Sequence, residues 1–282
     1  MSRWVADRTD LPVLLPARRP RRPAAPRWLG ARSGLVLATV LIAAVGIGEA
    51  EAGPGDPSVI ATLLKWTPLL AQGFGLNVLM SVLAMAAGTA AGTLLGLGLI
   101  SLQPGVRGSA GFATQIFRNA PWLVMLFYCM LLLPFEIRVG DTVIPLPAWI
   151  KATFGLSLPV MANMAEIVRG AVQSIPFGQW ESAESLAFTR RQTLWMIILP
   201  QCVKRMLPPW MNLYAILVVG TPLCSIVGVN EAMTLTSDAL AAEGRRELLI
   251  PMYLYLLLWF FLYCYPISRW TTALERRFAV DG

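Results

Sequence analysis

Residues 72–100 run without a single charged side chain, and further apolar segments lie at 33–50, 112–134, 146–168, 210–229 and 248–268. Few folds accept such a pattern. About 20 consecutive apolar residues suffice for a helix to cross the roughly 30 Å hydrocarbon core of a bilayer. Inside that core every backbone N–H and C=O must be paired within the protein, which leaves helices as the structure for isolated apolar runs. Charge content agrees: 14% of residues are charged, where a soluble domain carries about 25%. The expected fold is all-α, a polytopic transmembrane helix bundle of about six spans.

Charge asymmetry then orients the bundle. Residues 1–32 hold eight arginines, from Arg3 to Arg32, among repeated prolines. Such a stretch buries little and repels itself, so it reads as a disordered basic cytoplasmic arm beside anionic lipid. Segment 33–50 has a short apolar core, Leu35 to Gly48, and Ala50-Glu51-Ala52 before Gly53 resembles a signal-peptidase site. The long basic region ahead of it favours an uncleaved signal-anchor span. With the arm inside, 18 of the 23 basic residues fall on inner segments and five outside: Lys65, Arg138, Lys151, Arg245 and Arg246. That excess places both termini on the cytoplasmic side of the membrane. Residues 51–71 fall outside, with an amphipathic surface helix from Ser58 to Leu70 that Pro68 ends or bends. The net charge of +7 is thus spent on topology, and no nucleic-acid partner is implied.

Several chemistries are excluded by residue type. The chain has no histidine, and Cys129, Cys202, Cys224 and Cys264 stand apart. A histidine-based triad is impossible, and zinc or disulfide frameworks lack their spacing. No GxxxxGK[ST] loop is present to cradle ATP, and no in-span pair of carboxylates suits acid–base catalysis. The expectation is a non-enzymatic chain with no metal and no cofactor of its own. In the second span, Ala84, Gly88, Gly92 and Gly96 form a small-residue stripe. It allows close helix approach, within the subunit or between subunits.

The stretch from Arg169 to Pro209 is too long for a plain connector. Pro176 suits a first helical turn, after which Trp180, Ala183 and Ala187 fall on one face and Glu181 and Glu184 flank it. Thr189 and Gln192 form a capping box for a second helix through Leu194, Ile197 and Ile198, ending at Leu199-Pro200. Two such helices suit docking into a partner's groove or lying on their own bundle; the pattern alone leaves both open.

Glu181-Ser182-Ala183, then Ala187, then Ile197 and Leu199-Pro200, resembles the EAA loop of binding-protein-dependent ABC importer permeases. The family form is Glu-Ala-Ala, three residues, Gly, nine residues, Ile-x-Leu-Pro. Ser182 replaces its second residue, an Ala, and Ala187 its Gly. Further stretches are similar to the polar amino acid branch: Ala165-Glu166-Ile167-Val168-Arg169-Gly170, Gln173-Ser174-Ile175-Pro176, Arg118-Asn119-Ala120-Pro121 and Ser225-Ile226-Val227-Gly228-Val229. The likeness covers about residues 69–278, so 72–278 reads as a type I importer permease domain containing the loop 169–209.

That resemblance implies a role and partners. Two permease subunits, identical or sister chains, would pair in membrane lipid, and each loop would dock on a cytoplasmic ABC ATPase dimer that binds ATP and Mg. An external solute-binding protein would deliver an amino acid or a related small polar solute. An opine or betaine-like zwitterion is the alternative cargo, and a non-transporting sensor or scaffold the alternative role. Trp180, Glu181, Ser182, Ala183, Glu184 and Ala187 are then expected to couple the two proteins, with Arg190 and Arg191 touching the ATPase or simply solvated. Polar groups within spans usually face a bundle interior, which makes Asn77, Gln115, Asn163, Thr221 and Ser225 candidates for the solute path. Glu166 and Arg169 are expected to pair with each other. Relatives often carry Lys-Asp where this chain has Val219-Gly220.

Overall fold

The computed structural model describes residues 31–51, 53, 55–139 and 142–278. The expected disordered arm falls almost wholly outside the described residues. Ten α-helices follow in order: α1 Ala31–Glu51, α2 Val59–Leu99, α3 Pro104–Asn119, α4 Trp122–Leu132, α5 Ala148–Gln173, α6 Phe177–Ser185, α7 Arg190–Gln192, α8 Leu199–Gly220, α9 Ala232–Glu243 and α10 Leu249–Phe278. A π turn, Thr193–Ile198, joins α7 to α8, and a 3-10 segment, Thr221–Val227, leaves α8. Four of the described helical stretches are long and apolar enough to cross a membrane, or five if the bent α3–α4 pair is one span. Helix α5 has the length, 26 residues or about 39 Å, but not the apolarity. It is packed among α2, α3, α4 and α8, so its side chains need not suit lipid on every side.

The bundle is built on the α2–α5 contact. A Cβ added at Gly92 would lie 2.5 Å from the Met161 carbonyl oxygen, and one at Gly88 would lie 2.5 Å from Val160 Cγ1. The small-residue stripe therefore serves packing inside the subunit, where backbone-to-backbone approach replaces the missing hydrophobic drive between helices in lipid. Met80, Ala84, Leu126, Leu156, Val160 and Leu217 close the core around it.

Three local expectations are corrected. The separate surface helix at Ser58–Leu70 does not end at Pro68: α2 continues as one 41-residue helix. Val59, Leu63 and Leu70 are buried with Ala239, Leu248 and Met252, and this packing outweighs the one hydrogen bond that proline removes. The third span, expected at 112–134, is instead broken at Ala120-Pro121, with α3 and α4 bent by 104°. Ala120 takes an extended backbone, φ −74° and ψ 135°, as a residue before proline prefers. The second loop helix passes through Leu199-Pro200 into α8. The π turn places the Leu199 N–H on the Leu194 carbonyl, a widened ladder that absorbs the donor missing at Pro200. The all-α bundle carries one short hairpin among the described residues: β1, Glu136–Val139, pairs antiparallel with β2, Thr142–Pro145, with Ile137 opposite Ile144.

Long-range polar ties hold the end of the bundle where α2 begins. The Glu243 carboxylate accepts from Lys65 Nζ at 2.6 Å and from Trp66 Nε1 at 2.8 Å. These hydrogen bonds, chiefly the one from Lys65, hold its pKa below the ordinary carboxylate range. A depressed folded-state pKa contributes stability above the unfolded value of about 4.3 and loses it as pH falls through the folded one. The melting temperature of purified protein should accordingly exceed that of Glu243→Gln at neutral pH. The gap should close as pH drops below about 4; a gap independent of pH would contradict the assignment.

Candidate functional site

Helix α6 starts at Phe177, behind Pro176, and is tied to α8 near its N-terminal end. Arg205 Nη1 on α8 donates to the Ser174 carbonyl at 2.7 Å and to its hydroxyl at 3.0 Å. Gln201 Nε2 reaches Gln179 Oε1 at 3.3 Å. Ala183 is buried, and Trp180 packs on a cluster of Ala171, Val172, Ile175, Ile198 and Cys202. The expected face therefore divides. Trp180 and Ala183 turn inward and fix the helix, while Glu181, Ser182 and Glu184 stay exposed.

Ala187 is not on that face, because α6 has already ended. It lies past the C-cap Leu186, with φ 57°. Its N–H bonds the Glu184 carbonyl at 2.9 Å, and the Phe188 N–H bonds the Ala183 carbonyl at 3.1 Å. Those two bonds make a Schellman cap, whose C′ residue is left-handed and usually glycine. An alanine there is strained by about 1–2 kcal/mol. The substitution Ala187→Gly should therefore stabilise the protein by about 1 kcal/mol. A higher melting temperature in detergent would register this; an unchanged or lower one would contradict it. The capping box forms as the spacing predicts: the Thr189 hydroxyl accepts from the Gln192 N–H, and the Gln192 carboxamide accepts from the Thr189 N–H.

A cleft of about 510 Å³ opens beside α6, lined by Phe177, Trp180, Glu181, Glu184, Phe188 and Arg190. The Arg190 guanidinium stands 5.5 Å over the Trp180 ring, and Arg191 is exposed. Phe177 is 73% exposed and Leu186 72%. Neither was singled out from sequence, although apolar side chains on so polar a loop were the available signal. Together they give a stiff helix with an acidic outer edge and an apolar rim, suited to gripping by a second protein.

The expected path residues separate into three groups. Asn77 and Thr221 come together in the core. Asn77 Nδ2 donates to Thr221 Oγ1 at 3.0 Å and to Glu231 Oε2 at 2.8 Å, while its Oδ1 accepts the Ala232 N–H at 3.0 Å. Glu231, a residue not chosen from sequence, also accepts from Met233 N–H and Thr234 N–H and so caps α9. Thr221 and Ser225 both donate back to their own helix, to the Val218 and Pro222 carbonyls. Gln115 is exposed on α3 and accepts from Asn119.

Asn163, whose amide donates to the Pro159 carbonyl at 2.8 Å, lines an open cleft. That space, about 280 Å³, is bordered by Arg118, Glu166, Pro209 and Asn212 as well. Glu166 and Arg169 pair as expected, with Nη2 to Oε2 at 2.5 Å, and Arg118 Nη1 stands 3.9 Å from the other Glu166 oxygen. Asn212, exposed in mid-α8, was not singled out, although as a polar residue within the span 210–229 it carried the same signal as Asn77 and Asn163. Gly220 packs on Trp122: a Cβ there would lie 3.0 Å from the ring.

Comparison with known proteins places this architecture. Residues 88–280 match the family described as binding-protein-dependent transport system inner membrane component. The inner membrane amino-acid ABC transporter permease protein YhdY of Escherichia coli (strain K12) is 31% identical over 73% of this chain and 55% of its own length. The probable amino-acid ABC transporter permease protein YckA of Bacillus subtilis (strain 168) is 32% identical over 75% of this chain and 90% of its own. A crystal structure of an amino acid ABC transporter with histidines shares the fold, with TM-score 0.67 and 22% identity over 77% of this chain and 97% of that one. With more than half its length inside the family match and the helical bundle in common, this chain belongs to the family of binding-protein-dependent transport system inner membrane components.

Proposed function

We propose that this chain is the membrane-spanning permease subunit of an ABC importer that moves amino acids or related small polar solutes inward. It works by mechanical coupling to a separate ATPase, not by catalysis of its own. The observation that carries this reading is the fastening of α6. Trp180 and Ala183 lock the helix to the bundle, so force applied at Glu181, Ser182 and Glu184 passes through Ser174–Arg205 and Gln179–Gln201 into α8. Arg190 and Arg191 flank the same surface. A helix pulled by its outer edge and riveted on its inner edge transmits motion rather than fraying.

The basic-residue asymmetry supports both termini on the ATPase side, with a solute-binding protein on the other. The solute passage is assigned to the cleft lined by Asn163, Asn212, Arg118 and Glu166, where Asn212 is exposed and Asn163 keeps its carbonyl oxygen after its amide donates to the Pro159 carbonyl. Asn77 and Thr221 are left out of the passage, because their hydrogen bonds are made within the buried core. Gly220 favours recognition away from the position where relatives carry an aspartate, because Trp122 fills that space. A sister permease, or an opine- or betaine-like solute, is compatible with that loss. Co-reconstitution with the ATPase and binding protein tests the reading. ATP-dependent accumulation of a labelled amino acid inside vesicles is expected; ATP turnover with no solute movement would reduce the chain to a scaffold.

A further inference from the structure

Lys151, in the first turn of α5, is 1% exposed. Among the described residues its Nζ has no hydrogen-bond partner, and it sits 3.7 Å from the centroid of the Phe135 ring. Burying an ammonium without a counter-ion is costly, and a cation–π contact returns about 2 kcal/mol at best. The same end of α5 is electropositive for a second reason. Pro147 is its N-cap, with no side-chain cap bond and no acidic residue in the first turn. The N–H groups of Ala148 and Trp149 therefore await an outside acceptor at the positive end of the helix dipole. Helical side chains lean back toward the N-terminus, which carries Lys151 to that end. Phe135 is kept there by its carbonyl, which accepts the Leu146 N–H at 2.8 Å. The nearby acid Glu136 is taken by Arg138 at 2.6 Å.

An unpaired cation and free N–H donors define an anion site. The surroundings define which anion. Phe135 and Leu131 are each 77% exposed, and Phe154 continues the apolar collar along α5. A zwitterionic solute would leave its own ammonium against these rings without an acceptor, whereas acyl chains match them. We propose that Lys151 and the N-terminus of α5 bind the phosphodiester of an anionic phospholipid headgroup, with Phe135 as the displaceable cover of the ammonium.

Native mass spectrometry of the full-length protein, extracted from bilayers of equal phosphatidylglycerol and phosphatidylcholine, tests the site. Wild type should retain phosphatidylglycerol, Lys151→Arg should keep it, and Lys151→Met should retain about fivefold less. Equal retention by wild type and Lys151→Met would overturn the proposal. Phe135→Ala, which keeps the lysine, covers the case in which Lys151→Met fails to fold. Removing the competing ring should raise retention about twofold, and unchanged or lower retention would overturn the proposal as well. Excess inorganic phosphate should not displace the lipid. Displacement would assign the site to a free anion and defeat the lipid assignment.

Discussion

Glu181→Arg should abolish co-isolation of the ATPase and bring ATP-driven uptake to background, while the protein still inserts and melts like wild type. Glu181 is exposed on the outer edge of α6 and makes no side-chain hydrogen bond within the described residues, so reversing its charge removes nothing that holds the fold. At a docking surface the same reversal sets like charges together, which costs several kcal/mol. Three of them weaken binding about a hundredfold. Pull-down of the ATPase on the tagged permease, alongside a melting curve, separates the two effects. Normal assembly of the variant would refute the assignment of α6 as the gripped element.

The opposite outcome is expected for Asn77→Leu: loss of stability with the docking surface untouched. Leucine keeps asparagine's branched outline but leaves Glu231 Oε2 without its side-chain donor and the Ala232 N–H without its acceptor, all within fully buried surroundings. A buried charge or polar group stripped of one partner typically costs about 3 kcal/mol. Helix α9 loses its anchor to α2 at the same time, because Glu231 is the cap of that helix. Thermal unfolding in detergent and limited proteolysis near α9 would register this. A penalty under about 1 kcal/mol would show the network to be dispensable.

These two residues mark how far the sequence could be read. The exposed placement of Glu181 beside the inward-facing Trp180 and Ala183 was legible because spacing along a single helix decides which side chains share a face. The capping box at Thr189 and Gln192 and the Glu166–Arg169 pair were legible for the same reason: each joins residues three apart on one turn. Asn77 was singled out as polar within a span, but its partners lie 144 and 154 residues away. Nothing local distinguishes an asparagine facing a passage from one bonded to a distant helix cap. Pro68 misled for a related reason. Its helix-breaking tendency is a local cost, and burial of Val59, Leu63 and Leu70 against α9 and α10 overrides it.

By itself, then, the sequence determined the helical bundle, the loop helix α6 and the residues exposed on its outer edge, since apolar run length and i, i+3, i+4 spacing act over short stretches of chain. Only the tertiary structure decided that the glycine stripe faces α5, that α3 and α4 part at Pro121, that Asn77 closes a buried network, and that Lys151 lies unpaired beneath Phe135. Each of those depends on which helices come side by side. In a membrane that choice rests on close packing and paired polar groups rather than on hydrophobicity, which every span shares alike.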